Sequence, residues 1–453
     1  MFQNCIESFV QQAQARPQSM ALHIPLQEEV TFAELIKNAA RVQSHLIPYG
    51  IEPGTYVLLL DGLGSRLYAV MTALMSLGAT VMVVEPWMSV ERIQQIIQLA
   101  RPKLFIAHSP GFLWGLRVPE IRKIPHWIRA SSLMTGKYQN TLTVEKVDPQ
   151  TTGILTFTSG TMGAPKGVVR SQGYLLKQHE VLSRHLESAR FAGPDLCIFA
   201  NFVMTNLASG RGSILIPSAW KAKALRAIDE LPPKHQPETL TSGPAFLLTL
   251  MKNAQVNSLK SIHVGGALTD CAIFEKGFQT WPQAHWSHIY GGSEAEPVAL
   301  ADARQAVQES QKEGYFQTLY LGKNIPEIQA DLQSQGLWVA GPHVCPEYFG
   351  NEKENQLNKR KDAHGVQWHF MGDKIKADAT GWWYQGRASQ SSEDFQTEQR
   401  VYQVLQSSQS FILSEKVNDK KDTEASPRKW LIGEGVAHRS KELLKQIGRA
   451  SCR

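Results

Sequence analysis

The sequence lacks the cysteine pattern of a disulfide-rich or zinc-binding protein. Its 453 residues include five cysteines, which are scattered, odd in number and without CxxC spacing. This usage argues against a disulfide framework and a zinc site, and it indicates a reducing compartment. The first residues also lack a basic segment followed by an apolar one, so no secretory signal is expected. A cytoplasmic location is therefore predicted.

Strong charge of one sign and long apolar helices are also missing. The net charge is +6 at pH 7, without a concentrated basic segment, so a nucleic-acid partner is not expected. One uncharged run, residues 67–84, approaches the length of a membrane span. It contains Thr72, Ser76 and Thr80 and changes its period midway, which favours a buried helix followed by a buried strand. No transmembrane segment is predicted.

Apolar periodicity over residues 55–107 predicts alternating strands and helices. Short apolar runs at 56–60, 79–84 and 104–107 are separated by segments with helical spacing. In residues 93–100, apolar side chains recur at i, i+3, i+4 and i+7, which is one face of a helix. Such alternation is typical of parallel strands covered by helices. We therefore predict an α/β fold with mixed and parallel sheets covered by helices.

A change in composition near residue 387 predicts a domain boundary. Residues 389–398 are polar, and residues 418–427 are charged and rich in turn formers. The chain is also too long for one simple core. We predict a large domain of several subdomains over residues 1–387 and a small α+β domain over residues 388–453.

The most informative stretch is a loop that follows an apolar strand at residues 154–157. Its glycines allow close backbone approach, its free amides can bind an anion, and its hydroxyls and lysine complete a polyphosphate site. A surface Gly/Ser turn is the alternative, which the combination of all three residue types disfavours. The predicted phosphate-binding residues are Thr158, Ser159, Gly160, Thr161, Gly163 and Lys166.

This loop does not match the P-loop of kinases. The pattern GxxxxGK[ST] counted from Gly160 places Lys166 correctly. However, Pro165 replaces the second glycine, and Gly167 replaces the hydroxyl residue that would hold Mg²⁺. A P-loop kinase is therefore disfavoured. A serine hydrolase is also disfavoured, because Ser159 lacks a GxSxG context.

Residues 158–167 instead resemble the phosphate-loop signature of the adenylate-forming superfamily, T-S-G-T-T-G-x-P-K-G, with Met162 as the departure. That superfamily includes acyl-CoA synthetases, luciferases and peptide-synthetase adenylation domains. Other segments resemble further motifs of the family in the correct order, and the resemblance covers about residues 5–388. These segments are 31–35 (TFAEL), 77–86 (LGATVMVVEP), 264–268 (VGGAL), 289–294 (IYGGSE), 336–349, 371–375 (MGDKI) and 383–387 (WYQGR).

The resemblance implies a nucleotide site with Mg²⁺. Gly265, Gly266 and Ala267 would approach adenine and ribose, although a double glycine after a strand is weak evidence alone. Tyr290 would pack against the adenine, and Gly291 belongs to the same motif.

The resemblance also implies the phosphate and ribose contacts. Ser293 would contact the α-phosphate and Glu294 would bind Mg²⁺, as a hard cation requires. Asp373 would accept hydrogen bonds from the ribose hydroxyls, and Arg387 would donate to ribose and phosphate. A capped turn with a solvated glutamate is the structural alternative for Glu294.

The implied reaction is attack of a carboxylate on the α-phosphorus of ATP, which releases pyrophosphate. Thr158, Lys166 and Glu294 are the predicted catalytic residues. The final acceptor would be CoA or another thiol, such as that of an acyl carrier protein. Apolar side chains at the positions of the acyl pocket favour a fatty or other apolar acid. These are Phe199, Phe202, Val203, Met204 and Leu207, which could equally be core residues.

Two departures from the family pattern, a short C-terminal segment and a missing lysine, leave other functions open. Only 66 residues follow Arg387, and none of them is a lysine in the Ser/Thr-Gly-Lys context that the family uses in adenylation. The resemblance therefore predicts an incomplete small domain, and a nucleotide-binding protein without catalysis is one alternative. An ATP-dependent β-lactone synthetase, which cyclises a β-hydroxy acid without CoA, is another.

Overall fold

The computed structural model describes residues 4–84, 88–136, 141–158, 166–186, 190–217 and 220–407. In chain order, the strands are β1 (Met20–Ile24), β2 (Glu28–Thr31), β3 (Tyr56–Leu60), β4 (Thr80–Val83), β5 (Leu104–Ala107), β6 (His126–Arg129), β7 (Thr152–Thr158), β8 (Lys166–Ser171), β9 (Asp195–Cys197), β10 (Ser213–Leu215), β11 (Thr239–Ser242), β12 (Ser261–Gly265), β13 (His285–Gly292), β14 (Ala295–Asp302), β15 (Tyr320–Asn324), β16 (Gln329–Gln333), β17 (Gly336–Ala340), β18 (Tyr348–Phe349), β19 (Lys359–Lys361), β20 (Gln367–Phe370), β21 (Asp373–Ala377) and β22 (Trp382–Arg387).

The helices cover the sheets. They are α1 (Glu7–Ala15), α2 (Phe32–Leu46), α3 (Ser65–Ser76), α4 (Val90–Ala100), α5 (Ser109–Gly115), α6 (Pro119–Arg122), α7 (Gln172–His185), α8 (Ala200–Ala208), α9 (Ala222–Asp229), α10 (Pro244–Asn253), α11 (Cys271–Thr280), α12 (Ala303–Lys312), α13 (Glu352–Asn358) and α14 (Ser392–Ser407). Short 3₁₀ helices lie at Ile47–Tyr49, Ala130–Met134 and Pro233–His235.

A seven-stranded sheet carries the strand that enters the phosphate loop. Its order is β18-β8-β7-β4-β3-β5-β6, with parallel pairing from β7 to β6 and antiparallel pairing of β8 and β18. The strands predicted over residues 55–107 are observed as β3, β4 and β5, with α3 and α4 between them. The predicted strand–helix alternation is therefore confirmed.

An eleven-stranded sheet carries the other nucleotide motifs. Its order is β2-β1-β10-β9-β11-β12-β13-β14-β15-β22-β21. The pairs from β1 to β13 are parallel, and the pairs from β13 to β21 are antiparallel. A separate antiparallel sheet has the order β16-β17-β20-β19. The α/β fold with mixed sheets and covering helices is thus confirmed.

The main core lies between the two large sheets. Helices α2, α3 and α8 contribute to one apolar cluster together with strands of both sheets, and separate clusters cover the two outer faces. Thr72, Ser76 and Thr80 are buried there. Residues 67–84 divide into α3 and β4, as predicted. In the described part of the chain, no helix is both long and apolar enough to cross a membrane.

The early TFAEL motif forms the start of α2. Thr31 Oγ1 accepts a hydrogen bond from the Glu34 amide at 3.2 Å, and Glu34 Oε2 accepts one from the Thr31 amide at 2.8 Å. This reciprocal capping box satisfies two amides that the helix cannot pair internally. The motif therefore has a local structural explanation.

The chain beyond Arg387 is described only as far as residue 407. Phe395 of α14 is buried and packs edge-on against Tyr384 of β22, with ring centres 5.9 Å apart. Most of the predicted small domain lies outside the described residues. The boundary at residue 387 accordingly stays a prediction.

Candidate active site

The phosphate-loop signature connects two antiparallel strands. β7 ends at Thr158, β8 begins at Lys166, and these two residues are cross-strand partners. The loop therefore lies at the carboxyl end of β7, where open α/β sheets bind their ligands. Its predicted members Ser159, Gly160, Thr161 and Gly163 lie outside the described residues.

Lys166 is held between an acid and an aromatic ring. Its side chain is 16% exposed, and its Nζ atom lies 2.6 Å from Glu354 Oε2. The same ammonium lies 5.2 Å from the centre of the Tyr348 ring. A lysine with so little exposure needs such partners, because an unpaired charge is costly to desolvate. Glu354 thus neutralises the lysine that is predicted to bind phosphate.

Ser293 and Glu294 form the turn between β13 and β14. The Ser293 carbonyl accepts a hydrogen bond from Arg170 Nη2 at 2.8 Å. Glu294 Oε1 accepts one from the Tyr348 hydroxyl at 2.8 Å. Burial and the charge of Glu294 raise the pKa of Tyr348, so the tyrosine stays a donor. These contacts fix the turn beside the strands that enclose the phosphate loop.

Glu294 has the chemistry of a magnesium ligand. Carboxylate oxygens carry about four lone-pair sites in total, and the Tyr348 hydroxyl occupies one. In nucleotide sites, Mg²⁺ is held by one or two carboxylates together with phosphate and water oxygens. Among the described residues, no group of three or more His, Cys, Asp and Glu side chains is arranged to hold a metal. A Mg²⁺ carried by nucleotide phosphates would fit this donor set, and Glu294 stays its predicted protein ligand.

Asp373 joins two other residues predicted to bind nucleotide. Its Oδ2 accepts a hydrogen bond from Tyr290 at 2.7 Å, and its Oδ1 accepts one from Arg387 Nη1 at 2.9 Å. Asp373 and Arg387 are cross-strand partners at the start of β21 and the end of β22. Burial raises the pKa of Asp373, while Arg387 and Tyr290 oppose that shift. The three side chains form one hydrogen-bonded group across β13, β21 and β22.

The double-glycine turn lies beside this group. β12 ends at Gly265, which pairs with Ile289 of β13, and Gly266 has a positive φ of 82°. A Cβ atom on Gly266 would lie 3.5 Å from Phe199, so the turn also adjoins the segment predicted to bind the acyl group. Gly265, Gly266, Ala267 and Tyr290 are thereby brought to neighbouring strand ends.

A methyl group at residue 265 should disturb this arrangement. In Gly265→Ala, the new Cβ would lie 2.9 Å from the Ile289 carbonyl oxygen and 3.1 Å from its Cβ. We expect the free energy of unfolding to fall by about 1–3 kcal/mol, because overpacking moves the backbone. Urea denaturation measures this change. Gly62→Ala is the control, because its Cβ would meet nothing within 4 Å; an equal effect of both variants would contradict the explanation.

The predicted acyl segment is only partly available to a ligand. Phe202, Val203 and Leu207 of α8 are buried in the core between the sheets. Phe199 and Met204 are partly exposed. An apolar side chain on a helix can face a core or a pocket, and the sequence does not distinguish these. Within this segment, the core interpretation holds for three of the five residues.

Four residues outside the predicted set contact the predicted site. Arg170 of β8 donates to Thr156 and to the Ser293 carbonyl, which ties the phosphate-loop strands to the turn of Glu294. Tyr348, Glu354 and Lys359 come from β18, α13 and β19. Arg170 interrupts an apolar strand, which was a detectable signal. Tyr348 lies in the resembling segment 336–349 but carried no predicted role, whereas Glu354 and Lys359 are recognisable only from the tertiary contacts.

Glu296, two residues after Glu294, should make stability depend on pH. Its burial raises the pKa from 4.5 to about 7, although nearby Arg170 and a hydrogen bond from Asn201 oppose the shift. The folded state therefore binds this proton more tightly than the unfolded state, and the stability falls as pH rises from 4.5 to 7.

We expect Glu296→Gln to remove this dependence. Relative to the variant, the wild type should lose about 3 kcal/mol of unfolding free energy between pH 4.5 and pH 7.5. Urea titrations at several pH values measure the difference. Parallel pH profiles of the two proteins would show that Glu296 keeps its ordinary pKa.

Comparison with known proteins assigns the family. Residues 9–349 match the AMP-binding enzyme family. The chain belongs to this family. A 4-coumarate–CoA ligase-like protein from Arabidopsis thaliana is 24% identical over 388 residues, which cover 77% of this chain and 69% of the relative. A long-chain-fatty-acid–CoA ligase from Bacillus subtilis is 24% identical over 276 residues, which cover 56% and 47%.

Solved structures show that this AMP-binding enzyme shares the fold of acyl-CoA synthetases. O-succinylbenzoate coenzyme A synthetase from Bacillus subtilis, in complex with AMP, has a TM-score of 0.71 at 18% identity, with 85% of this chain and 99% of that chain covered. A long-chain-fatty-acid–CoA ligase from Archaeoglobus fulgidus has a TM-score of 0.73 at 17% identity, with 91% and 88% covered. At these identities the structures support the fold alone.

The predicted resemblance to adenylate-forming enzymes is thereby confirmed. This AMP-binding enzyme is an adenylate-forming ligase whose relatives include CoA ligases. The relatives differ in the acids that their names specify, so the substrate does not follow from family membership.

Proposed function

We propose that the protein activates an apolar carboxylic acid, such as a fatty acid, with ATP and Mg²⁺. The product is an acyl-AMP, and the acyl group then passes to CoA or to another thiol, such as that of an acyl carrier protein. The observation that supports this proposal is a pair of contact groups joined through β13, which carries Tyr290, and the turn after it, which carries Glu294. One group is Lys166 with Glu294 and Tyr348, and the other is Asp373 with Tyr290 and Arg387.

The second group suits a nucleoside. Asp373 receives one hydrogen bond on each oxygen, from Arg387 and Tyr290, and each oxygen retains a further lone-pair site. Two ribose hydroxyls could donate to those sites. Because Arg387 and Tyr290 already fix the carboxylate, little side-chain freedom would be lost on binding. The group would therefore hold ribose in one orientation.

The first group suits the phosphates. In the proposed reaction, a carboxylate oxygen forms a bond to the α-phosphorus while the bond from that phosphorus to the bridging oxygen breaks. Negative charge then accumulates on departing pyrophosphate, and Lys166 would stabilise it. When bound, Mg²⁺ supplies further compensation of phosphate charge. The backbone of the phosphate loop and Thr158 would position the nucleotide.

The acyl end of the substrate would lie near the double-glycine turn. Phe199, the residue before α8, adjoins Gly266 there and is partly exposed, as is Met204 in the middle of that helix. Transfer of an apolar acyl group from water to such a surface is favourable, whereas a charged group would lose its hydration there. This neighbourhood supports an apolar substrate in preference to a charged one.

Carboxylate-dependent exchange between ATP and pyrophosphate tests the proposal. We expect exchange with a subset of apolar acids from acetate to long-chain and β-hydroxy fatty acids, and formation of an acyl thioester when CoA is added. Product analysis without CoA would detect a β-lactone instead. Nucleotide binding without exchange for any acid would contradict adenylation and favour a binding-only protein.

A further inference from the structure

Two lysines approach the same tyrosine ring. The ammonium of Lys359 lies 4.8 Å from the centre of the Tyr348 ring, and that of Lys166 lies 5.2 Å from it. Tyr348 itself is buried. An electron-rich ring attracts cations over its face, and this arrangement places two positive charges close together. No family motif identified in the sequence includes Lys359.

The shared ring lies beside β8, the strand that follows the phosphate-loop signature. Tyr348 and Phe349 form β18, which pairs with Val168 and Gly167 immediately after Lys166. The hydroxyl of Tyr348 donates to Glu294, the predicted Mg²⁺ ligand, at 2.8 Å. Lys359 therefore belongs to the same neighbourhood as Lys166, predicted to contact polyphosphate, and Glu294, predicted to bind Mg²⁺.

The two lysines are neutralised differently. Lys166 has the Glu354 carboxylate at 2.6 Å. Lys359 donates to the carbonyl oxygen of Cys345, and among the described residues no carboxylate lies within ion-pair distance of it. Burial lowers the pKa of Lys359, with a smaller contribution from Lys166, while Cys345, Glu294 and Glu347 oppose that shift. A partly buried ammonium without an ion pair is costly, and such groups are common at ligand sites.

We propose that Lys359 is a second cation of the triphosphate site, where it and Lys166 together bind the β- and γ-phosphates of ATP and the departing pyrophosphate. This inference rests on the proposed function. An ammonium has three donors, and the hydrogen bond to Cys345 uses one of them. The other two are available to phosphate oxygens. Lys166 would exchange Glu354 for phosphate, and Glu354 would keep the hydrogen bond from Asn358, which is 2.7 Å long.

A purely structural role for Lys359 predicts different behaviour. If Lys359 only links β19 to the loop of Cys345 by a hydrogen bond, its loss should lower stability and reduce the affinity for all nucleotides alike. A phosphate cation should instead distinguish nucleotides by their phosphates, because AMP lacks the β- and γ-phosphates. Lys359→Gln separates the two roles, since its amide can still donate to Cys345 but carries no charge.

The test measures dissociation constants of the full chain for MgATP, magnesium pyrophosphate and AMP by calorimetry. We expect Lys359→Gln and Lys359→Met to raise the dissociation constants for MgATP and pyrophosphate at least tenfold, which is about 1.4 kcal/mol. The dissociation constant for AMP should change less than twofold. Lys359→Arg should restore most of the affinity. Lys361→Met, at an exposed position of the same strand, should leave all three constants unchanged.

Other results would overturn the inference. An equal loss of affinity for MgATP and for AMP, with a lower melting temperature, would assign Lys359 a structural role. Unchanged constants in both variants would remove it from the site. Wild-type protein that binds none of the three ligands would refute the nucleotide site and this inference together, whereas normal wild-type binding with unaltered variants would refute the inference alone.

Discussion

Glu294→Gln should lower the rate of carboxylate-dependent ATP–pyrophosphate exchange by about 10²–10³-fold. The amide keeps a carbonyl oxygen that can accept the hydrogen bond from Tyr348, now 2.8 Å long, so the turn should keep its conformation. It carries no charge for Mg²⁺, which prefers carboxylate oxygen. AMP affinity should change little, because AMP lacks the phosphates that share the metal. Exchange kinetics and AMP calorimetry measure the two effects.

Glu313→Gln is the matched control for Glu294→Gln. Glu313 is exposed at the end of α12, and its replacement should leave exchange unchanged. If Glu294→Gln retained the wild-type exchange rate across Mg²⁺ concentrations, Glu294 would not be the metal ligand. A shift of the Mg²⁺ optimum to higher concentration would support the assignment, because a weaker site needs more metal to fill.

Asp373→Asn should lower the affinity for ATP and the affinity for AMP to the same extent, by about 10–100-fold. The asparagine would present an NH₂ group to either Arg387 or Tyr290, each of which now donates to the aspartate. It would also lose the charge that strengthens hydrogen bonds from the ribose hydroxyls. Because both nucleotides contain the ribose, the effect should not depend on the number of phosphates.

Calorimetry with ATP, AMP and 2′-deoxy-ATP checks the Asp373 prediction. The wild type should lose affinity when the 2′-hydroxyl is removed, and Asp373→Asn should lose less, because its acceptor is already weakened. Asp331→Asn serves as the control, since Asp331 lies on β16 in a surface ion pair with Arg360. Undiminished AMP affinity in Asp373→Asn would exclude contact between this carboxylate and ribose.

The local parts of the fold were predictable because their signals are local. The apolar runs of β3, β4 and β5 reflect burial of both strand faces, and the stripe of α4 reflects burial of one helical face. The TFAEL motif likewise contains both partners of the capping box, three residues apart. Such patterns need no knowledge of the remaining chain.

The convergence of the motifs was predictable only through the family resemblance. Asp373 and Tyr290 are 83 residues apart in the sequence, yet their side chains are hydrogen-bonded. No periodicity connects them, because antiparallel strands of the eleven-stranded sheet bring them together. The sequence also indicated no contact between Tyr348 and Lys359, whose residue types are common at surfaces. Such contacts depend on sheet order, which composition and spacing leave undetermined.

The acyl segment shows a different limit. Phe202 and Leu207 have the apolar character expected of a fatty-acid pocket, but they fill the core between the sheets. The same hydrophobic driving force selects both environments. Burial in the fold, rather than residue type, therefore decides which apolar positions remain for a substrate.

The two-residue strand β18 has a consequence for biosynthesis. It is the edge strand of the seven-stranded sheet, next to β8, and it supplies the tyrosine that contacts Lys166, Lys359 and Glu294. A ribosome must translate through residue 349 before this sheet can close around the phosphate loop. Nascent chains that expose only β3 to β8 would hold an unfinished sheet edge, which is a site for mispairing with other chains.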